Sequence, residues 1–185
     1  IYSTENGPFQ NTVPDYYYRM EPDGRFQNGT GVGNETASEH EMYRKYMIDS
    51  LTHWVKEYQI DGFRFDLMGI HDVTTMNAIR EAMDALDPRI LLYGEGWDMG
   101  TGLAPEDKAK KDNAAQLPRI GFFNDTERDA IKGAEVYGSI KRGFVSRKST
   151  ENIVARAVLG SAELGNYSTP SQVLNYVEAY DNYNL

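Results

Sequence analysis

The stretch IDGFRFDLMGIHD, residues 60–72, places Arg64 and Asp66 on either side of Phe65 inside an otherwise apolar run. Read as a strand over 62–67, it alternates its side chains between two faces. Arg64 and Asp66 then point one way, and Phe63 and Phe65 the other. Phenylalanines packed beneath helices would leave the charged pair facing a strand-lined interior. That is how a reaction site is laid out, and the flanking sequence has to say which kind.

Upstream, SEHEMYRKYMIDSLTHWVKEY opens with a capping box, Ser38 to Glu41, and repeats apolar residues at helical spacing through Met47, Leu51 and Val55. Downstream, Asp72 is placed to cap a second helix, VTTMNAIREAMDAL, which stops before Asp87-Pro88. ILLYGEGWD then reads as a second strand and RIGFFND as a third. DTERDAIKG reads as a helix ending at Gly133, ENIVARAVLG as another helix, and QVLNYVEAYDN as a fourth strand. Strands alternating with helices specify a parallel α/β sheet, either doubly wound or a (β/α)8 barrel. Residues 1–37, rich in Gly, Asn, Thr and Pro and without periodicity, read as a long loop. Loops of that length in compact proteins tend to be functional. GTGVGN, residues 29–34, lacks the last glycine of GxGxxG and follows no strand, so no dinucleotide site is expected there.

Composition narrows the partners. The 185 residues are enough for one domain with a substantial core, and the 40% hydrophobic and 25% charged content is that of an ordinary globular chain. A net charge of −9 argues against nucleic acid or an anionic membrane surface, both of which call for basic patches. The scattered basic residues, including KAKK at 108–111, read as solvated faces. With no cysteine, disulfides and thiolate metal sites are excluded, and the compartment stays unassigned. No apolar run approaches the roughly 20 residues that span a bilayer. The opening IYSTENGPFQ has neither the basic start nor the apolar core of a signal peptide. Thirteen tyrosines and two tryptophans suit sugar stacking, although half-buried tyrosines are ordinary in any fold.

Three acids fall at strand ends: Asp66 on the first, Glu95 on the second and Asp181 on the fourth. Ligands bind at the carboxyl ends of parallel strands, and a barrel gathers those ends on one face. Neighbouring strands lie about 4.8 Å apart. Inward acids ending two of them would then match the separation of about 5–5.5 Å between nucleophile and acid/base in a retaining glycosidase. Arg64 beside Asp66 favours the ionised form a nucleophile needs. Glu95, which must start protonated, calls for a drier setting, with Trp97 as a candidate wall. Gly94 and Gly96 flank it, either to admit a sugar or to turn the chain. His71 is read either as lining the cleft or as a satisfied structural histidine, and His40 and His53 as structural. No cluster has metal-ligand spacing, so no metal or other cofactor is required.

DGFRFDLMGIHD, LLYGEGWD, PRIGFFNDTERDAIKG and NYVEAYDN, with the upstream TVPDYYYRMEPDGRFQNGTGVGNETASE, closely resemble type I pullulanases of the alpha-amylase superfamily. The resemblance covers essentially the whole chain. It implies Asp66 as nucleophile, Glu95 as general acid/base and Asp181 as transition-state stabiliser. Arg64, Trp97, His71, Tyr180 and Asn182 complete the expected substrate-binding set. The implied reaction is retaining hydrolysis of α-1,6-glucosidic branch links in pullulan, starch or glycogen-type α-glucans. Tyr180 stands where the family normally has a histidine. The family's calcium sites are not carried over, because no matching ligands are identified. The family's early barrel motif would lie upstream of Ile1, and the chain stops just past Asp181. The expectation is therefore a partial (β/α)8 barrel, strands four to seven with their helices, in one fragment over residues 1–185. Residues 1–37 would form an active-site-side loop and 38–185 the barrel units. The expected partners are an α-glucan, the rest of the parent barrel and other copies of the chain through its open sheet edges. Other α-glucan hydrolases or transferases of the superfamily, and a non-catalytic α-glucan-binding fragment, are the competing readings.

Overall fold

The computed structural model describes residues 7–136, 139–160 and 167–179. The long N-terminal segment is not all loop. Helix α1, Pro8–Thr12, forms because Pro8 presets the first helical φ, and the Thr12 hydroxyl donates back to the Pro8 carbonyl at 2.6 Å. Beyond it the segment folds back on itself through antiparallel bridges, Tyr18 with Thr36 and Met20 with Phe26. Arg19 pins this fold. Its buried guanidinium donates to Glu39 (2.9 and 2.7 Å), to Glu35 (2.9 Å) and to Thr101 Oγ1 (2.6 Å).

Helix α2, Glu41–Tyr58, packs Met47, Ile48, Leu51 and Val55 against the core, as their spacing implies. The expected capping box is absent: His40 occupies the N-cap without a side-chain bond of its own, and the Met42 N–H donates instead to the Tyr16 hydroxyl at 3.2 Å. Ser38 is used elsewhere. Its hydroxyl donates to Asp72 Oδ2 at 2.7 Å and accepts the Asp72 N–H at 2.9 Å. Strand β1, Gly62–Phe65, follows, and then α3, Val73–Leu86, capped as expected by Asp72 accepting from the Thr75 N–H at 2.8 Å.

Strands β2, Leu91–Gly94, and β3, Gly121–Phe123, are joined by an irregular segment with a 3-10 turn at Lys111–Gln116. Lys108 and Lys110 do not form a solvated face here. Both are buried, and both bind the Asp98 carboxylate, at 3.2 and 2.8 Å. Helix α4, Asp125–Ile131, is capped by Asn124 and followed by a small antiparallel pair, β4 (Glu135–Val136) with β5 (Ser139–Ile140). Helix α5, Glu151–Val158, precedes β6, Val173–Leu174.

The fourth strand is much shorter than its sequence pattern. Backbone pairing stops at Leu174, and side-chain amides take over: Asn124 donates to Asn175, and Asn175 donates to the Ala157 carbonyl. Buried Gln172 holds the strand's entrance by donating to the carbonyls of Ala114 and Leu117.

The four long-range strands are all parallel and lie in sequence order, β1-β2-β3-β6. Phe65, Leu92 and Phe122 line one face and join Met76, Ile79 and Met83 of α3 in the core, with Phe63 and Val173 packed at its margin. Arg64, Leu91, Tyr93, Phe123 and Leu174 alternate onto the opposite face. That face is open: Leu91 is 65% exposed and Leu174 36%.

Candidate active site

Phe65 of β1 pairs with Gly94 of β2, so Asp66 and Glu95 emerge side by side, one residue beyond the last paired positions. Two hydrogen bonds lock this edge, from the Glu95 N–H to the Phe65 carbonyl and from the Gly69 N–H to the Glu95 carbonyl, each 3.0 Å. Arg64, pointing to the open face from β1, spans both acids. One amino group donates to Asp66 Oδ1 at 2.8 Å and the other to Glu95 Oε1 at 2.7 Å. The guanidinium also sits over the Phe123 ring, 5.7 Å from its centre.

The two carboxylates differ in solvation. The Asp66 side chain is 67% exposed and that of Glu95 only 10%. The drier setting expected for Glu95 is the one it has. The hydrogen bonding of Glu95 departs from expectation, because both of its oxygens accept: Oε1 from Arg64 and Oε2 from the Leu67 N–H at 2.8 Å. The Leu67 donor is aimed by a left-handed turn with φ of +43°, an uncommon conformation for leucine and a local strain carried next to the site.

The glycines near Glu95 neither admit a sugar nor turn the chain. A Cβ on Gly94 would lie 2.6 Å from the Phe65 carbonyl oxygen, and one on Gly96 would lie 2.4 Å from the Phe122 ring. They let protein pack against protein. Trp97 is half-buried, and its backbone carbonyl packs against Gly69.

His71 is buried, with its ring edge toward Phe65, and lines a cavity of about 200 Å3 that also reaches Asp66. Burial, reinforced by nearby Arg19, lowers its pKa to about 4, against the opposing pull of Asp72 and Glu39. Burial alone would raise Asp72, but hydrogen bonds from Ser38 and Thr75 and the charge of Arg44 outweigh it and hold that carboxyl below its ordinary value. Asp98 is likewise held low, first by its hydrogen bond from Lys110 and then by Lys108. His40 contacts the Tyr16 carbonyl through Nδ1. Among the described residues no three His, Asp or Glu side chains converge as a metal centre. Tyr180, Asp181 and Asn182 lie outside the described residues.

The sequence reading missed Phe123, and with it an aromatic row running from Tyr93 through Phe123 to Tyr176 along the open face, with ring centres 5.8 and 5.2 Å apart. Strand alternation places Tyr93 and Phe123 on the Arg64 face and was the available signal. It also missed the Arg19–Glu35–Glu39–Thr101 network, whose members are too far apart in sequence to be paired by any local pattern.

No protein-family model matches the chain. It is 43% identical over 187 residues to a pullulanase of Bacillus subtilis, covering 99% of this chain and 26% of that protein. It is 42% identical over 147 residues to the chloroplastic pullulanase 1 of Arabidopsis thaliana, covering 72% of this chain and 15% of that one. Among solved structures, the pullulanase of Anoxybacillus sp. complexed with maltotriose superposes with a TM-score of 0.88 at 48% identity, over 94% of this chain and 25% of its own. The pullulanase of Paenibacillus barengoltzii in complex with maltohexaose and alpha-cyclodextrin gives a TM-score of 0.91 at 47% identity, over 96% and 28%. The chain thus spans about a quarter of the length of the first curated relative it matches.

Proposed function

From a chain homologous to pullulanases over nearly all of its own length, we infer a segment of a debranching glycoside hydrolase that holds its nucleophile and its acid/base. The whole protein would hydrolyse α-1,6-glucosidic links in pullulan, starch or glycogen-type α-glucans with retention. The observation that carries this reading is the single guanidinium of Arg64 spanning Asp66 and Glu95 at adjacent parallel strand ends. One acid is wet and one is dry, the asymmetry that divides nucleophile from proton donor.

The roles are those the resemblance implies, and the geometry supports them. Exposed Asp66, hydrogen-bonded to Arg64, attacks the anomeric carbon and forms a glycosyl ester. Glu95 donates its proton to the departing glycosidic oxygen, then takes one from the water that hydrolyses the ester. Both Glu95 oxygens accept hydrogen bonds here, and as the acid the group needs its proton once the sugar is bound. A sugar seated over Arg64 and Glu95 displaces water, and desolvation favours the neutral acid. Asp181, on the resemblance, would stabilise the oxocarbenium-like transition state.

The fold supports a barrel segment over a doubly wound sheet. Strands in unbroken spatial order, with helices on one face and an open opposite face, are what a section of barrel wall presents. A doubly wound sheet reverses its order and covers both faces. Strands four to seven of a (β/α)8 barrel remain our assignment.

The test is product analysis on pullulan with the whole protein and its Asp66→Asn variant. The expected result is maltotriose released with retained α configuration by proton NMR, and turnover lost by several orders of magnitude in the variant. Inverted product, or undiminished hydrolysis by Asp66→Asn, would reject the assignment. Cleavage elsewhere than at α-1,6 links would point to another α-glucan-active member of the superfamily.

A further inference from the structure

We propose that His71 is a specificity-determining residue, its Nε2–H donating a hydrogen bond to a hydroxyl oxygen of the glucose ring that occupies the cavity beside Asp66. The inference rests on the α-glucan reading above. Its physical basis is the pairing of that cavity with the state of the imidazole.

The cavity, about 200 Å3, lies between the turn after β1 and the folded-back N-terminal segment. Asp66, Leu67 and His71 line one side, and Thr30, Asn34 and Thr36 line the other. That is smaller than a drug-sized pocket and suits one monosaccharide unit. Its walls are rich in hydroxyl, amide and carboxylate groups, which is chemistry that recognises a polyhydroxylated ring. It opens onto Asp66, so its occupant would be contiguous with the sugar being cleaved.

His71 is fixed from both sides by its backbone. Its N–H donates to the Met68 carbonyl at 3.0 Å and its carbonyl accepts from the Ala109 N–H at 2.8 Å. Nδ1 is sealed from solvent and has no hydrogen-bond partner among the described residues. Nε2 has no hydrogen-bond partner among the described residues, and we place this nitrogen toward the cavity that His71 lines. A sealed N–H without an acceptor is rarer than an under-used acceptor. The single proton of the neutral ring therefore belongs on Nε2. Arg19 discourages a second proton while Asp72 and Glu39 favour one, and burial decides for the neutral ring, whose pKa lies near 4. Glu35 and Asp66 also border the cavity. The result is an uncharged donor that stays in one tautomer throughout the neutral range. Without an acceptor it is an unused polar group, and a sugar hydroxyl is the acceptor the surroundings select.

The experiment compares His71→Phe and His71→Gln in the whole protein, with pullulan as substrate and Asp66→Asn as the reference. His71→Phe keeps a flat ring but removes the donor. It should raise KM by about two- to tenfold while leaving kcat nearly unchanged. His71→Gln, which restores an N–H donor, should recover part of the loss. A second readout needs no turnover: with 15N-labelled histidine, maltotriose should shift the Nε2 resonance of the unsubstituted protein more than that of Nδ1. An unaltered KM in a folded His71→Phe protein would overturn the proposal, as would a ring protonated on Nδ1. Survival of turnover in Asp66→Asn would instead reject the hydrolase reading itself, so the two failures are distinguishable.

Discussion

At the scale of residues, the site depends on one side chain satisfying two others. Arg64 reaches Asp66 and Glu95 at once only because a guanidinium is a planar fork. A lysine at that position carries the same charge on a single point and can serve one acid at a time. Arg64→Lys should therefore lower kcat/KM on pullulan by about ten- to a hundredfold, from the loss of one charge-assisted bond. Undiminished kinetics would show that the span is incidental. Buried His71 and Asp72 make a separate prediction about acid. Both have folded pKa values below their unfolded ones, so each stabilises the fold at high pH and ceases to do so as pH falls. For His71 that loss begins near the unfolded value of about 6.5 and continues to its folded value of about 4, each pH unit across the span being worth about 1.4 kcal/mol. Asp72 adds its own loss below about pH 4. Urea midpoints should fall between pH 6.5 and 4, and His71→Phe should flatten that stretch of the curve. Arg64 and Asp66 could be read as a pair from sequence because strand alternation is a local rule. The ion pair from Arg64 to Glu95 could not, since it depends on which strands pair and in what register.

Elements show where local grammar succeeds and where distant contacts override it. Asp72 caps α3 as its sequence position dictates, because its partner is only three residues away. Ser38 has the right signature for α2 and does not use it, because Asp72 offers both an acceptor and a donor. The same competition buries Lys108 and Lys110, whose charges Asp98 satisfies. Ser38→Ala is therefore expected to act on the junction between the N-terminal segment and α3, with α2 capping untouched. It would leave the Asp72 N–H buried without its acceptor, at a cost of about 1–3 kcal/mol in unfolding free energy. A change within error would mean that water or another group replaces the hydroxyl. The turn after β1 is more demanding. A Cβ on Gly69 would lie 1.9 Å from the Trp97 carbonyl oxygen, which is backbone and cannot swing aside. Gly69→Ala should push this turn off the end of β2, withdraw the Leu67 N–H from Glu95, and depress kcat more than it raises KM.

For the whole molecule, the informative surface is the sheet face that no layer covers among the described residues. Leu91 and Leu174 stand exposed beside Arg64, Tyr93 and Phe123, and both outer strands have unpaired edges among the described residues. The parallel class was legible in the alternation of strands and helices. The sheet order was not, because no local pattern states which strands become neighbours. We propose that the 185 residues by themselves self-associate through this face and leave pullulan intact. A monodisperse, active monomer by light scattering would contradict this. The pairing of Phe65 with Gly94 has a further consequence for assembly fidelity. If β1 slipped by one residue along β2, Arg64 and Asp66 would rotate among the methionines of the core and their phenylalanine neighbours would turn outward. Such a mispaired molecule would be catalytically silent and would also suffer from charges stranded away from water. Titrating active sites with a covalent inhibitor would thus count correctly assembled molecules, making chemistry a proofreader of strand alignment.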